Sequence, residues 1–176
     1  MQDERSFRAN RVLDILVAED SPIIQAILLR FLSSLGHRVV TVENGREAVG
    51  AVGAKDFDIV LMDIRMPEMD GVAATRSIRR TPTDAALTPI IACSADSSRE
   101  KVAQFLEAGM NACIDKPVDK AALLACIDRV LGKEIHEMLP GEDGEKSAAE
   151  DGAEHIDEDD SDVSAFLEKI ATADGD

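Results

Sequence analysis

The sequence predicts an α/β fold, a doubly wound parallel sheet of five strands with five helices flanking it. Three observations carry this expectation. Between residues 12 and 131, short aliphatic runs alternate with amphipathic stretches of helical spacing, five times over. The runs are close to continuously apolar, as strands covered on both faces are. Polar residues cluster where these runs end, and open parallel sheets keep their sites at the carboxyl ends of their strands.

Each element can be justified in order. "LDILVA" over 13–18 is of strand length and leads into Glu19 and Asp20. Ile23, Ile27, Leu28, Phe31, Leu32 and Leu35 then recur at threes and fours, and Gly36 stops that helix. "RVVTV" over 38–42 is the second strand, followed by a helix over 45–54. "DIVLM" over 58–62 is the third, and it runs directly into Asp63. Pro67 and Gly71 shape the turn after it, before a helix over 71–80. "PIIAC" over 89–93 precedes Ser94, and a helix over 97–108 ends at Gly109. "ACID" over 112–115 precedes Lys116 and Pro117, and the last helix, 119–131, ends at Gly132.

Composition bounds the function. Hydrophobic residues make up 45% of the chain but Trp and Tyr are absent, so the core must be aliphatic. Cys93, Cys113 and Cys126 are odd in number and each lies in an apolar run, which suits reduced thiols in a cytoplasmic protein better than disulfides or zinc. The N-terminus lacks the apolar stretch of a secretory signal, and no window approaches a membrane span. Residues 141–176 hold 14 acidic and 2 basic residues, a net −12 of the chain's −16. Such a tail disfavours direct binding of nucleic acid or anionic membrane. The expected organisation is a lead over 1–11, a domain over 12–139, and an acidic, disordered tail over 140–176. Within the tail, Val163, Phe166, Leu167 and Ile170 share one face of a possible short helix over 162–171. His37, His136 and His155 fall at no strand's carboxyl end and read as surface residues.

The chemistry concentrates at the strand ends. Taken singly, Asp20 or Ser21 is a helix cap, Ser94 a strand-end hydroxyl and Lys116 a solvated lysine. Taken together, the fold brings Glu19, Asp20, Asp63, Ser94 and Lys116 to one crevice. Three close carboxylates raise one another's pKa, and a hard divalent cation such as Mg²⁺ relieves that repulsion. Metal, lysine and hydroxyl around one carboxylate are what phosphoryl transfer to an aspartate needs.

Over residues 12 to about 131 the chain resembles the receiver domains of two-component response regulators, the CheY-like family. The matching residues are the acid pair in "VAEDSP", Asp63 in "LMDIRMPEMDG", Ser94 in "IIACSAD" and "DKP" at 115–117. The resemblance implies a flavodoxin-like sheet of strand order 2-1-3-4-5. It implies Asp63 as phosphoacceptor, with Mg²⁺ held by Asp20, Asp63 and the backbone carbonyl of Arg65, and by Glu19 through water. Ser94 and Lys116 would contact the phosphoryl oxygens, and Pro117 would follow a cis bond. Such a domain is a signalling switch rather than an enzyme, beyond handling its own phosphoryl group. Its partners are a histidine kinase, as a stand-alone regulator or as the receiver of a hybrid kinase, or a histidine phosphotransfer protein, and the expected state is a monomer.

Two departures stand out. Where the family often carries an aromatic switch residue this chain has Cys113, so the switch rests on Ser94 and a small thiol. The residues after the last helix are expected to be too few and too acidic for a DNA-binding output domain. The alternative reading is a receiver fold kept as a docking module and never phosphorylated. A dehalogenase-like phosphatase is disfavoured by Arg65 two positions after the nucleophile, and a flavin module by the acidic first loop and the missing aromatics.

Overall fold

The computed structural model describes residues 7–138. In chain order the elements are β1 (Phe7–Ala9), β2 (Asp14–Ala18), α1 (Pro22–Ser34), β3 (Arg38–Val42), α2 (Gly45–Ala54), β4 (Ile59–Asp63) and α3 (Gly71–Arg79). A 3₁₀ turn over Asp84–Leu87 precedes β5 (Ile90–Ser94), α4 (Arg99–Ala108), β6 (Ala112–Asp115), α5 (Lys120–Leu131) and β7 (His136–Met138). The tail, its possible helix over 162–171 and His155 lie outside the described residues.

Strands β2 to β6 form one parallel sheet in the order β3-β2-β4-β5-β6, which is 2-1-3-4-5 counted within the sheet. The direction of winding reverses between β2 and β4, so a crevice opens beyond their carboxyl ends. Successive side chains point to opposite faces, and both faces are covered. Ile15, Val17 and Leu61 pack with Leu28 and Leu32 of α1 and with Leu123 and Ile127 of α5. Leu16, Val60 and Met62 pack on the other side with Val52 of α2, Ile78 of α3 and Phe105 of α4. That double burial is why the runs read as continuously apolar.

Side-chain caps start α1, α2, α3 and α5 within a residue of where the sequence places them, whereas α4 begins at Arg99, later than the expected 97, and Ser98 before it makes no side-chain cap bond. Ser21, not Asp20, accepts from the Ile24 amide at the head of α1, with Pro22 next. Asn44 accepts from the Glu47 amide at 2.9 Å and its Nδ2 donates back to Glu47 Oε1 at 3.1 Å, while Glu47 also accepts from the Glu43 amide at 2.9 Å. Asp70 and Asp119 likewise cap α3 and α5 as acceptors.

The amino ends of the strands carry a feature the sequence reading did not anticipate. β1 and β7 form a two-stranded antiparallel sheet, with Arg8 opposite Glu137 and Ala9 opposite His136. His37 and His136 are not surface residues. His37 is 5% exposed, and its Nδ1 accepts from the Leu13 amide at 3.1 Å. Its Nε2 lies 2.8 Å from Nε2 of His136, whose Nδ1 lies 2.5 Å from Asp128 Oδ1. Because Leu13 donates to His37, the neutral chain runs one way: His37 Nε2–H donates to His136, and His136 Nδ1–H donates to Asp128. Burial, with His136 beside it, lowers the His37 pKa to about 4. The histidines are buried because they staple β7 to α5, β3 and the start of β2.

Candidate functional site

The carboxyl ends of the central strands bring the predicted residues into one crevice. Glu19, Asp20, Asp63, Ser94 and Lys116 all line it, as does Arg65. Glu19 is 2% exposed and Asp63 5%, whereas Asp20 stands open to solvent. One carboxylate oxygen from each of Glu19, Asp20 and Asp63 lies within 4.8 Å of the others.

Lys116 answers two of these charges directly. Its Nζ lies 2.6 Å from Glu19 Oε2 and 3.0 Å from Asp63 Oδ1. Burial works against the ammonium, but its hydrogen bonds to Glu19 and Asp63 outweigh that and raise its pKa above the ordinary lysine value. Burial also pushes the Glu19 carboxyl up, against the pull of Lys116 and of the Ser21 amide, which donates to Oε1 at 3.1 Å. The backbone of the lysine is tied to β5, its amide donating to the Ser94 carbonyl at 2.8 Å. The bond to Pro117 is cis, as the resemblance implied.

Asp63 is fixed from two further sides. The Arg65 amide donates to its Oδ1 at 3.2 Å, so the chain folds back over the carboxylate. Gly71 lies against its backbone, where a Cβ would fall 2.2 Å from the Asp63 carbonyl oxygen. Gly71 is therefore more than a turn residue: only a bare Cα lets α3 start this close to β4.

Ser94 is 6% exposed and points its hydroxyl at the β5–α4 loop. Its Oγ donates to the Asp96 carbonyl at 2.8 Å and accepts from the Asp96 amide at 3.1 Å. Cys113 does not line the crevice. It is half-buried in β6, with its Sγ 3.6 Å from Ser97 Oγ on that same β5–α4 loop.

The structure also brings in residues that the motifs did not announce. Arg76 of α3 and Lys101 of α4 line the crevice mouth as further cations. Gln25 donates from Nε2 to the carbonyls of Glu19 at 2.6 Å and Val42 at 3.0 Å. A signal for Gln25 existed: it is a polar residue in register with Leu28 and Leu32, which α1 turns toward the core.

The family model for the response regulator receiver domain matches residues 15–128. The chain belongs to the response regulator receiver family. The sensor histidine kinase RcsC of Salmonella typhi is 36% identical over 121 residues, which is 68% of this chain but 12% of that protein's length. The receiver domain of the sensor histidine kinase PA1611 from Pseudomonas aeruginosa PAO1, solved with a magnesium ion in its active-site cleft, is 36% identical. It superposes with a TM-score of 0.64 over 70% of this chain and all of that one. The receiver domain of Ssk1 from Saccharomyces cerevisiae, solved with the phosphotransfer protein Ypd1, is 28% identical, with a TM-score of 0.61 over 66% of this chain and 87% of that one. The described part of this chain is thus a receiver domain of two-component signalling, and none of its helices is long and apolar enough to cross a membrane.

Proposed function

We propose that this receiver domain is a phosphoacceptor switch, taking a phosphoryl group on Asp63 from a phosphohistidine in a Mg²⁺-dependent reaction and signalling through protein partners. The observation that carries this is the Lys116 ammonium held against both Glu19 and Asp63, at 2.6 and 3.0 Å, beside an Asp20 that stays open. A structural ion pair needs one carboxylate; three gathered around one lysine leave negative charge over, which suits a site built for a cation and an incoming phosphoryl group.

An Asp63 oxygen would attack the phosphorus. The new O–P bond forms as the P–N bond to the donor imidazole breaks, and the imidazole keeps that electron pair. Lys116 is placed to neutralise charge on a phosphoryl oxygen, and Ser94 to donate to another once its hydroxyl turns from Asp96. Asp20 and Asp63, with the Arg65 carbonyl, would hold Mg²⁺ directly and Glu19 through water, an all-oxygen donor set of the kind Mg²⁺ takes. When bound, Mg²⁺ would supply charge neutralisation and alignment for the transferred group.

A donor protein has to cover the crevice mouth to bring its histidine within reach. Ile23 and Ile27 of α1, 46% and 56% exposed, offer an apolar landing face beside Asp20 for a histidine kinase or a phosphotransfer protein. The three free thiols fit the reducing cytoplasm. The test is phosphorylation with acetyl phosphate and with a phosphorylated phosphotransfer protein: wild type should label only with Mg²⁺ present, and Asp63→Asn not at all. Equal labelling of Asp63→Asn sinks the reading.

A further inference from the structure

We propose that Gln25 is a positioning residue for the acid pair, holding the Glu19–Asp20 peptide in the orientation that receives Mg²⁺. The proposal rests on the reading of the crevice given above. Glu19 is the first residue beyond β2, past the last paired position, Ala18 opposite Val42. Its backbone is nonetheless held on both sides of its Cα, by the amide in the Ala18–Glu19 peptide and by the carbonyl in the Glu19–Asp20 peptide. The Glu19 amide donates to the Val42 carbonyl at 3.0 Å, and the Glu19 carbonyl accepts from Gln25 Nε2 at 2.6 Å. The same Nε2 also donates to the Val42 carbonyl at 3.0 Å, so both amide protons of one side chain tie α1 to the ends of β2 and β3.

The consequence falls on Asp20. Glu19 has its own anchors in Lys116 and the Ser21 amide. The Asp20 carboxylate is exposed, and neither a hydrogen bond nor an ion pair joins it to the described residues. Its direction therefore depends on the peptide before it, and the carbonyl of that peptide is what Gln25 grips. Gln25 does not itself line the crevice, so it acts through the backbone and not on the ligand.

Removing the amide protons while keeping the length of the side chain isolates the effect. In the full chain, Gln25→Met should raise the Kd for Mg²⁺, read by calorimetry with MgCl₂ alone, about 3- to 10-fold, the scale of one or two net hydrogen bonds. Phosphorylation by acetyl phosphate should need correspondingly more Mg²⁺ but reach the wild-type rate at saturation, a split that a loss of folded protein does not produce. In the wild type, the Gln25 side-chain amide signals should shift on addition of MgCl₂, a measurement that needs no variant. If wild type binds Mg²⁺ and Gln25→Met binds it equally, or if those amide signals stay still, the role of Gln25 is overturned while the site stands. If wild type binds no Mg²⁺, the reading of the crevice falls first and the role of Gln25 with it.

Discussion

At the scale of single residues the crevice is a balance of charge and close contact, and both can be tested. Lys116→Met keeps the bulk of the stem but leaves the buried Glu19 and Asp63 facing each other without their shared cation. Labelling of Asp63 by acetyl phosphate at the Mg²⁺ concentration that saturates wild type should fall by an order of magnitude or more, with further MgCl₂ only partly restoring it. Gly71→Ala should be as damaging for a different reason. Its methyl would meet the Asp63 carbonyl oxygen at 2.2 Å, an overlap with backbone that no side-chain rotation relieves. Thermal unfolding should show a loss of about 1–3 kcal/mol or more, together with loss of labelling. The identities of these residues were legible in the sequence because the motif spacing names them. Their pairings were not. That Lys116 sits closer to Glu19 than to Asp63, and that the Ser94 hydroxyl turns to Asp96, follows from loop paths and not from the order of letters.

Among the elements, α1 is where the proposed recognition and the proposed chemistry separate. Ile27→Glu places a charge on its exposed apolar face without touching a residue of the crevice. Transfer from a phosphotransfer protein should weaken about tenfold while labelling by acetyl phosphate stays unchanged; equal loss with both donors would deny α1 its role. On the far side, Arg79 of α3 joins loops that no strand ladder reaches. It donates to the carbonyls of Gly109, Ala86 and Thr88, each at 2.8 Å, and to Asn111 Oδ1 at 3.1 Å. Burial lowers its pKa, yet backbone carbonyls take the place of a carboxylate partner. The elements themselves were readable because a doubly covered sheet demands uninterrupted apolar runs and the helix after the first strand keeps apolar residues at threes and fours up to Gly36; the caps Asn44 and Asp70 emerge only with the fold. β1 and β7 were not readable. "FRA" and "HEM" are three residues each, too short to show any period.

At the scale of the whole molecule, the His37–His136–Asp128 chain makes stability depend on pH. The folded-state pKa of His37 lies near 4, below its ordinary 6.5, so the unfolded chain binds the extra proton first. The stability tied to neutral His37 is complete above about pH 6.5 and drains away as pH falls toward 4. Urea unfolding at pH 7.5 and pH 5 should therefore differ by about 1–2 kcal/mol from this group, and His37→Gln should flatten that part of the dependence. The histidines escaped the sequence because the contact joins positions 99 apart, with nothing local to mark it. The clasp between β1 and β7 has a kinetic meaning as well. Arg8 and Glu137 meet across 129 residues of chain, so this pairing has to wait until the sheet has closed most of that loop. Contacts that form after the folding barrier act on the way out rather than the way in. Arg8→Ala should leave the refolding rate alone and quicken unfolding, and the amides of β1 and β7 should exchange with solvent by local opening, well before those of β4 and β5.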